Sequence, residues 1–146
     1  MSIDKITQTL DFPFAPERVW RAVTKPEELS QWFGDRIMME PVVGSDIVFI
    51  WKEHGRSTGR VEAFDPPRTF AFRWRAHGVA EDAPLAADNS TLVTFTLTPE
   101  GDGTRLEVVE TGFAGLPEAI RAKAYRENDH GWQVELQELA AYLGER

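Results

Sequence analysis

The sequence predicts an α+β fold in which a curved antiparallel sheet wraps a long C-terminal helix, with an interior that the periods leave either filled by rings or open as a pocket. Three observations predict it. Between Gly44 and about Thr111, apolar and polar residues alternate and turn residues recur, the pattern of several antiparallel strands in meander order. Two proline-headed segments with helical spacing follow the first strand. After Gly115-Leu116-Pro117 a single apolar stripe at helical spacing runs nearly to the last residue.

Ile3 to Phe12 alternates loosely through Ile6, Gln8, Leu10 and Phe12 and stops at a proline, which reads as a strand. The period then changes. From Pro16 to Val23 the apolar residues fall at helical intervals; Pro16 has the fixed φ of a first helical position and Glu17 sits at the positive end of the helix. Pro26 to Gly34 repeats the device, with Glu27 and Glu28 in the opening turn, Leu29, Trp32 and Phe33 as the apolar face, and Gly34 as the stop.

In the sheet region Ile47, Phe49 and Trp51 share one face. Thr69 to Arg75 sets Phe70, Phe72 and Trp74 on a dry side against Ala71, Arg73 and Arg75 on a wet one. Val93, Phe95 and Leu97 continue the dry face, as do Leu106 and Val108 on the last strand. Asp65-Pro66-Pro67-Arg68 and Pro99 to Gly103 read as turns, through fixed φ at Pro and positive φ at Gly. His77 to Ser90 has no periodicity and reads either as a plain surface connection or as a mobile loop over a cavity mouth. In the long helix Trp132, Leu136, Leu139, Ala140 and Leu143 form the stripe. Extended backward it meets Tyr125 and then Asn128 or Asp129, turning polar where Gly131 weakens the helix, a break that a cavity opening would explain.

A chain of 146 residues is expected to form one domain, residues 1–146, with a core that needs no staples. Five Trp and nine Phe against two Tyr weight the aromatic set toward rings that bury almost completely. Asp and Glu outnumber Lys and Arg by 24 to 16, and the resulting charge of -8 repels phosphate backbones and anionic headgroups. Neither nucleic acid nor a membrane surface is an expected partner. With no cysteine, disulfides, thiolate metal sites and a Cys nucleophile are excluded. No apolar run is long enough to span a bilayer and MSIDKITQTLDF has no apolar signal region, so a soluble, cytoplasmic protein is expected, as a monomer or homodimer.

Glu110 stands out because the alternation Leu106, Val108, Glu110 places a carboxylate on the dry face near a strand end. It reads either as a group that orients a ligand hydroxyl or acts as a base of raised pKa, or as a structural acid paired with an arginine or reaching water at the rim. His54, His77 and His130 have no metal-ligand spacing. GxSxG and phosphate-binding loops are absent, and no cofactor is implied.

Several segments in order resemble one known superfamily. They are Ala15 to Thr24; Pro26 to Gly34 with its Trp32-Phe33; Gly59 to Arg68 leading to Trp74; Thr104 to Phe113; and Gly131-Trp132 through Leu136 to Leu143. Together they are similar to the START-related, polyketide-cyclase-like superfamily, in the branch named for the activator of the heat-shock-protein-90 ATPase. The resemblance implies a helix-grip fold with a pocket between sheet and long helix, and a family of lipid carriers, hormone receptors, cyclases and co-chaperone domains. On that basis Phe49, Trp51, Phe70, Phe72, Trp74, Phe95 and Trp132 are expected to line a cavity for a small hydrophobic molecule, with Glu110 and Asn128 orienting it. The alternatives are a cyclase- or hydrolase-type enzyme using a cavity carboxylate, and an interaction module with a chaperone partner.

Overall fold

The computed structural model describes residues 4–53 and 55–144, so Ile3 of the expected first strand and His54 lie outside the described residues. Seven strands form one curved, unclosed antiparallel sheet: β1 (Lys5–Phe12), β2 (Arg36–Met39), β3 (Asp46–Trp51), β4 (Gly55–Asp65), β5 (Thr69–Arg75), β6 (Ser90–Glu100) and β7 (Gly103–Thr111). The order β1-β7-β6-β5-β4-β3-β2 is a meander from β2 to β7, with β1 returning to the free edge of β7. Helices α1 (Pro16–Thr24) and α2 (Pro26–Trp32) follow β1, and α3 (Glu118–Gly144) closes the chain after a 3-10 turn at Phe113–Gly115.

One strand was not legible in the sequence. β2 has only four residues, of which Ile37 alone is buried, too short a run for period two to show. The rest follows the predicted pattern. Pro16 and Pro26 open their helices with acids in the first turn, and no side chain caps either start. The Trp32 indole donates to the Ala22 carbonyl at 2.8 Å, so α2 is fixed against the end of α1 by a buried hydrogen bond. Phe33 then leaves α2 and carries its ring into the concavity of the sheet.

Gly59 on β4 lies opposite Trp74 of β5, and a Cβ there would come within 1.9 Å of the Arg73 carbonyl oxygen. Only glycine permits this approach of two backbones. A bulge between Val61 and Ala63 follows, and it lets one strand curve with the sheet.

Along α3 the buried residues are Trp132, Leu136, Leu139 and Leu143, whereas Ala140 is exposed, a correction to the stripe read from the sequence. The stripe is one residue narrower because a 3.6-residue turn carries position 140 past the contact line. The helix also passes through Gly131 without interruption, and that glycine has open space around it. No helix among the described residues is long and apolar enough to cross a membrane.

Glu135 is a half-buried carboxyl on α3, and burial first, then the charge of Glu138 one turn on, pushes its pKa up to about 7. The folded chain therefore holds a proton on this group that the unfolded chain has released. Its contribution to stability is present below pH about 4.5 and is lost as pH rises to about 7, after which it is constant. Glu135→Gln is expected to raise Tm at pH 8 and leave it unchanged at pH 4. Parallel melting curves at both ends would show no charge penalty at this position.

Candidate functional site

The inward rings divide into a solid group and a lining group. Phe49, Phe70, Phe72 and Phe95 are all buried, and each contacts other rings at centroid distances between 5.1 and 6.1 Å. Phe33 sits in their midst, stacked 5.3 Å from Trp132 and 6.0 Å from Trp74, and edge-on to Phe49 at 5.2 Å. This end of the interior is filled. The ring pairs prefer tilted and offset contacts, as their quadrupoles dictate.

A cavity of about 500 Å³ opens beyond that cluster, where β3 and β5 end, β4 begins and the first turns of α3 stand away from the sheet. Trp51, Trp74 and Thr91 provide the sheet wall. The helix wall consists of Phe113 and Leu116 before α3, then Ile120, Ala124 and Asn128 on it, with Lys123 and Glu127 alongside. Ile120, Ala124 and Asn128 continue one helical face into Trp132 and Leu136, so a single stripe of α3 lines the cavity upstream and packs against the sheet downstream.

The third wall comes from the segment after β5, through Ala76, His77, Gly78, Val79 and Glu81. It is tied down at several points. Ala76 and Asn89 pair through their backbones at 2.9 Å, Arg75 donates through Nε and Nη2 to the Ala83 carbonyl, and Arg56 forms a bidentate pair with Glu81. The Ser90 hydroxyl donates to the Ala86 carbonyl, which fixes the return into β6.

Glu110 lies between the sheet and α3, fully buried. Its Oε1 accepts from the Trp132 indole at 2.8 Å. Its Oε2 accepts from Asn128 Nδ2 at 2.8 Å, from the Thr91 hydroxyl at 2.6 Å and from the Trp74 indole at 3.0 Å, which is shared with Thr91 Oγ1. Neither structural partner expected from the sequence holds it: no arginine pairs with it among the described residues, and it is sealed from the rim. The partners are neutral because indole and amide N–H groups satisfy a carboxylate without bringing a second charge into the core. Burial pushes its pKa up, and the hydrogen bonds from Thr91, Trp74, Trp132 and Asn128 oppose the shift.

Both Glu110 oxygens thus accept hydrogen bonds from the protein, and the residue is fully buried. What the carboxylate does is fix the groups in front of it. Trp74, Thr91 and Asn128 are all cavity residues, and each gives its hydrogen to Glu110. Because Asn128 spends an amide N–H on Glu110, its Oδ1 is turned away; that oxygen has no protein partner among the described residues and is not enclosed.

Of the residues singled out in the sequence, Trp51, Trp74 and Asn128 line the cavity, Trp132 and Glu110 back it, and Phe49, Phe70, Phe72 and Phe95 lie in the packed cluster. Sequence reasoning missed Thr91 as a partner of Glu110 and the central place of Phe33. Thr91 shares the parity of Val93 and Phe95 and so carried a signal for the inner face.

A curved, unclosed antiparallel sheet gripping a long C-terminal helix, with two short helices after the first strand, defines the helix-grip class of protein. The model of the family described as Activator of Hsp90 ATPase homolog 1-like protein matches residues 13–144, and the chain belongs to that family. Among solved structures it is similar to protein MLL2253 from Mesorhizobium loti, with 26% identity over 97% of both chains and a TM-score of 0.80. It is also similar to DynU16, a protein in the dynemicin biosynthetic locus, at 26% identity and TM-score 0.77; the match covers 97% of this chain and 47% of that one. The Aha1 dimer from Colwellia psychrerythraea shares the fold, with 20% identity, 93% and 92% coverage and a TM-score of 0.74. No curated protein matches the sequence.

Proposed function

We propose that this protein binds a small hydrophobic molecule in the cavity between the sheet and α3. The carrying observation is a volume of about 500 Å³ walled by Trp51, Trp74, Phe113, Leu116 and Ile120. That size falls within the range of about 300–1,000 Å³ common to small-ligand sites. Apolar burial at about 25 cal/mol per Å² would supply most of the affinity. Orientation comes from few groups, with Asn128 Oδ1 held toward a ligand hydroxyl or N–H by its bond to Glu110.

The uncharged fluorophore N-phenyl-1-naphthylamine tests the reading, since its emission rises in an apolar site. Saturable 1:1 binding and a ligand-dependent rise in Tm are expected. Ala124→Trp, which places an indole in the helix wall, is expected to weaken binding at least about tenfold. A probe bound equally by the two proteins would be sitting elsewhere, and the proposal would fail.

A further inference from the structure

We propose that β2 is a dimerisation edge: two copies of this chain pair β2 with β2, antiparallel about a two-fold axis at Met38, and join their sheets into one. The sheet has two edges, at β1 and at β2. The first is met by α3, where the Tyr125 hydroxyl donates to the Lys5 carbonyl, and Gln133, Leu136 and Gln137 stand across a cleft from Gln8, Thr9 and Leu10. The second is not closed in this way. Among the described residues nothing but β3 hydrogen-bonds the backbone of Arg36 to Met39, so the groups turned away from β3 keep their capacity for another strand.

The side chains of this edge favour such a strand. Met38, 38% exposed, Val42 and Val43 are three of the four exposed large hydrophobic residues among the described ones, and the fourth, Val134, is on α3. β2 contains no lysine, proline or bulge, the usual devices against edge pairing. Its one charge is Arg36, and Glu40 follows just past its end. Both are exposed, and neither has an ion-pair partner among the described residues.

The spacing of those two charges selects the partner and the register. Ile37 is buried, so Arg36, Met38 and Glu40 share the outer parity. A two-fold axis perpendicular to the sheet brings together residues that face the same side, and it must therefore pass through a residue. With the axis at Met38, Arg36 stands opposite Glu40 of the partner subunit, Ile37 opposite Met39 of the partner subunit, and Met38 opposite its own copy. Symmetry makes the Arg36–Glu40 match twice, and opposite charges directly across a strand pair favour it. Moving the axis to Ile37 or Met39 sets Arg36 against a methionine or a valine and leaves both charges unmatched. One edge thus carries both halves of the match, as a second copy of the same chain requires.

Sedimentation equilibrium is expected to show a monomer–dimer equilibrium with Kd on the order of 10 µM, as suits a small interface. Arg36→Glu and Glu40→Arg each set like charges face to face twice and are expected to weaken the dimer at least about tenfold. The double exchange is expected to restore it to within about threefold of wild type. The chain has no cysteine, so a disulfide formed by Met38→Cys can only join two copies. Directly opposite residues lie within disulfide reach, and mild oxidation is expected to link this variant while Val134→Cys stays unlinked. A wild-type protein that remains monomeric at about ten times the expected Kd overturns the proposal. A dimer that neither charge reversal weakens and Met38→Cys does not link overturns the assignment to β2. Single reversals that weaken the dimer without recovery in the double exchange overturn the register.

Discussion

Replacing Glu110 with leucine is expected to lower stability by about 3 kcal/mol, or roughly 6–12 °C in Tm for a chain of this length. Two effects compete. Leucine relieves the burial of a carboxylate, which by itself favours the variant. Against this, four donors lose their acceptor at once: the indoles of Trp74 and Trp132, the Asn128 amide and the Thr91 hydroxyl. Three of them have some recourse. Asn128 faces the cavity and can reach water, the Thr91 hydroxyl can rotate, and Trp74 keeps Thr91 Oγ1 at 3.0 Å. Trp132 is 2% exposed and its only acceptor among the described residues is Glu110 Oε1, so its N–H is orphaned in the core. That single loss, added to the weakened bonds around it, outweighs the relief.

Glu110→Gln keeps the shape and removes the charge, and should cost about half as much. A glutamine has one acceptor oxygen, so wherever it lies its NH2 meets at least one N–H of the network. Chemical denaturation of the three proteins at pH 7 would order them wild type, glutamine, leucine. A leucine variant as stable as wild type would mean that the carboxylate is tolerated rather than used.

The second large effect is expected at Phe33, where alanine should cost about 3–5 kcal/mol. Phe33 is 3% exposed, and its ring centroid lies within 5.2 to 6.0 Å of five others, those of Trp32, Phe49, Trp51, Trp74 and Trp132. Its backbone carbonyl would still accept the Trp51 indole at 2.7 Å, so the substitution removes packing and not that hydrogen bond. The surrounding indoles are anchored by their own bonds and cannot collapse into the gap. The void would border Trp51 and Trp74, which also line the cavity, and would enlarge it from behind. A loss below about 1 kcal/mol with an unchanged near-ultraviolet circular dichroism spectrum would show that Phe33 does not organise the cluster.

Most of the architecture could be read from local pattern. Period two between Gly44 and Thr111 corresponds to β3 to β7, the prolines at 16 and 26 open α1 and α2, and the stripe from Trp132 to Leu143 lies inside α3. These features depend on neighbours in sequence, and the periods 2 and 3.6 suffice to reveal them. β2 was lost because its four residues offer almost no period, and Ala140 was misplaced because a stripe has an edge that spacing alone does not locate.

The site was legible only in part. Parity placed Glu110 on the inner face, and the same rule applies to Thr91, but pairing the two required the register of β6 against β7. The sequence by itself determined the strands, the helices, the inward rings and the buried acid. Only tertiary structure decided which rings touch open space, that Phe33 fills the middle of the cluster, and that the first turns of α3 border a cavity. The physical reason is distance along the chain. Side-chain period is a local property of the backbone, whereas a cavity is what remains when a strand end, a returning loop and a helix start meet without filling the space between them.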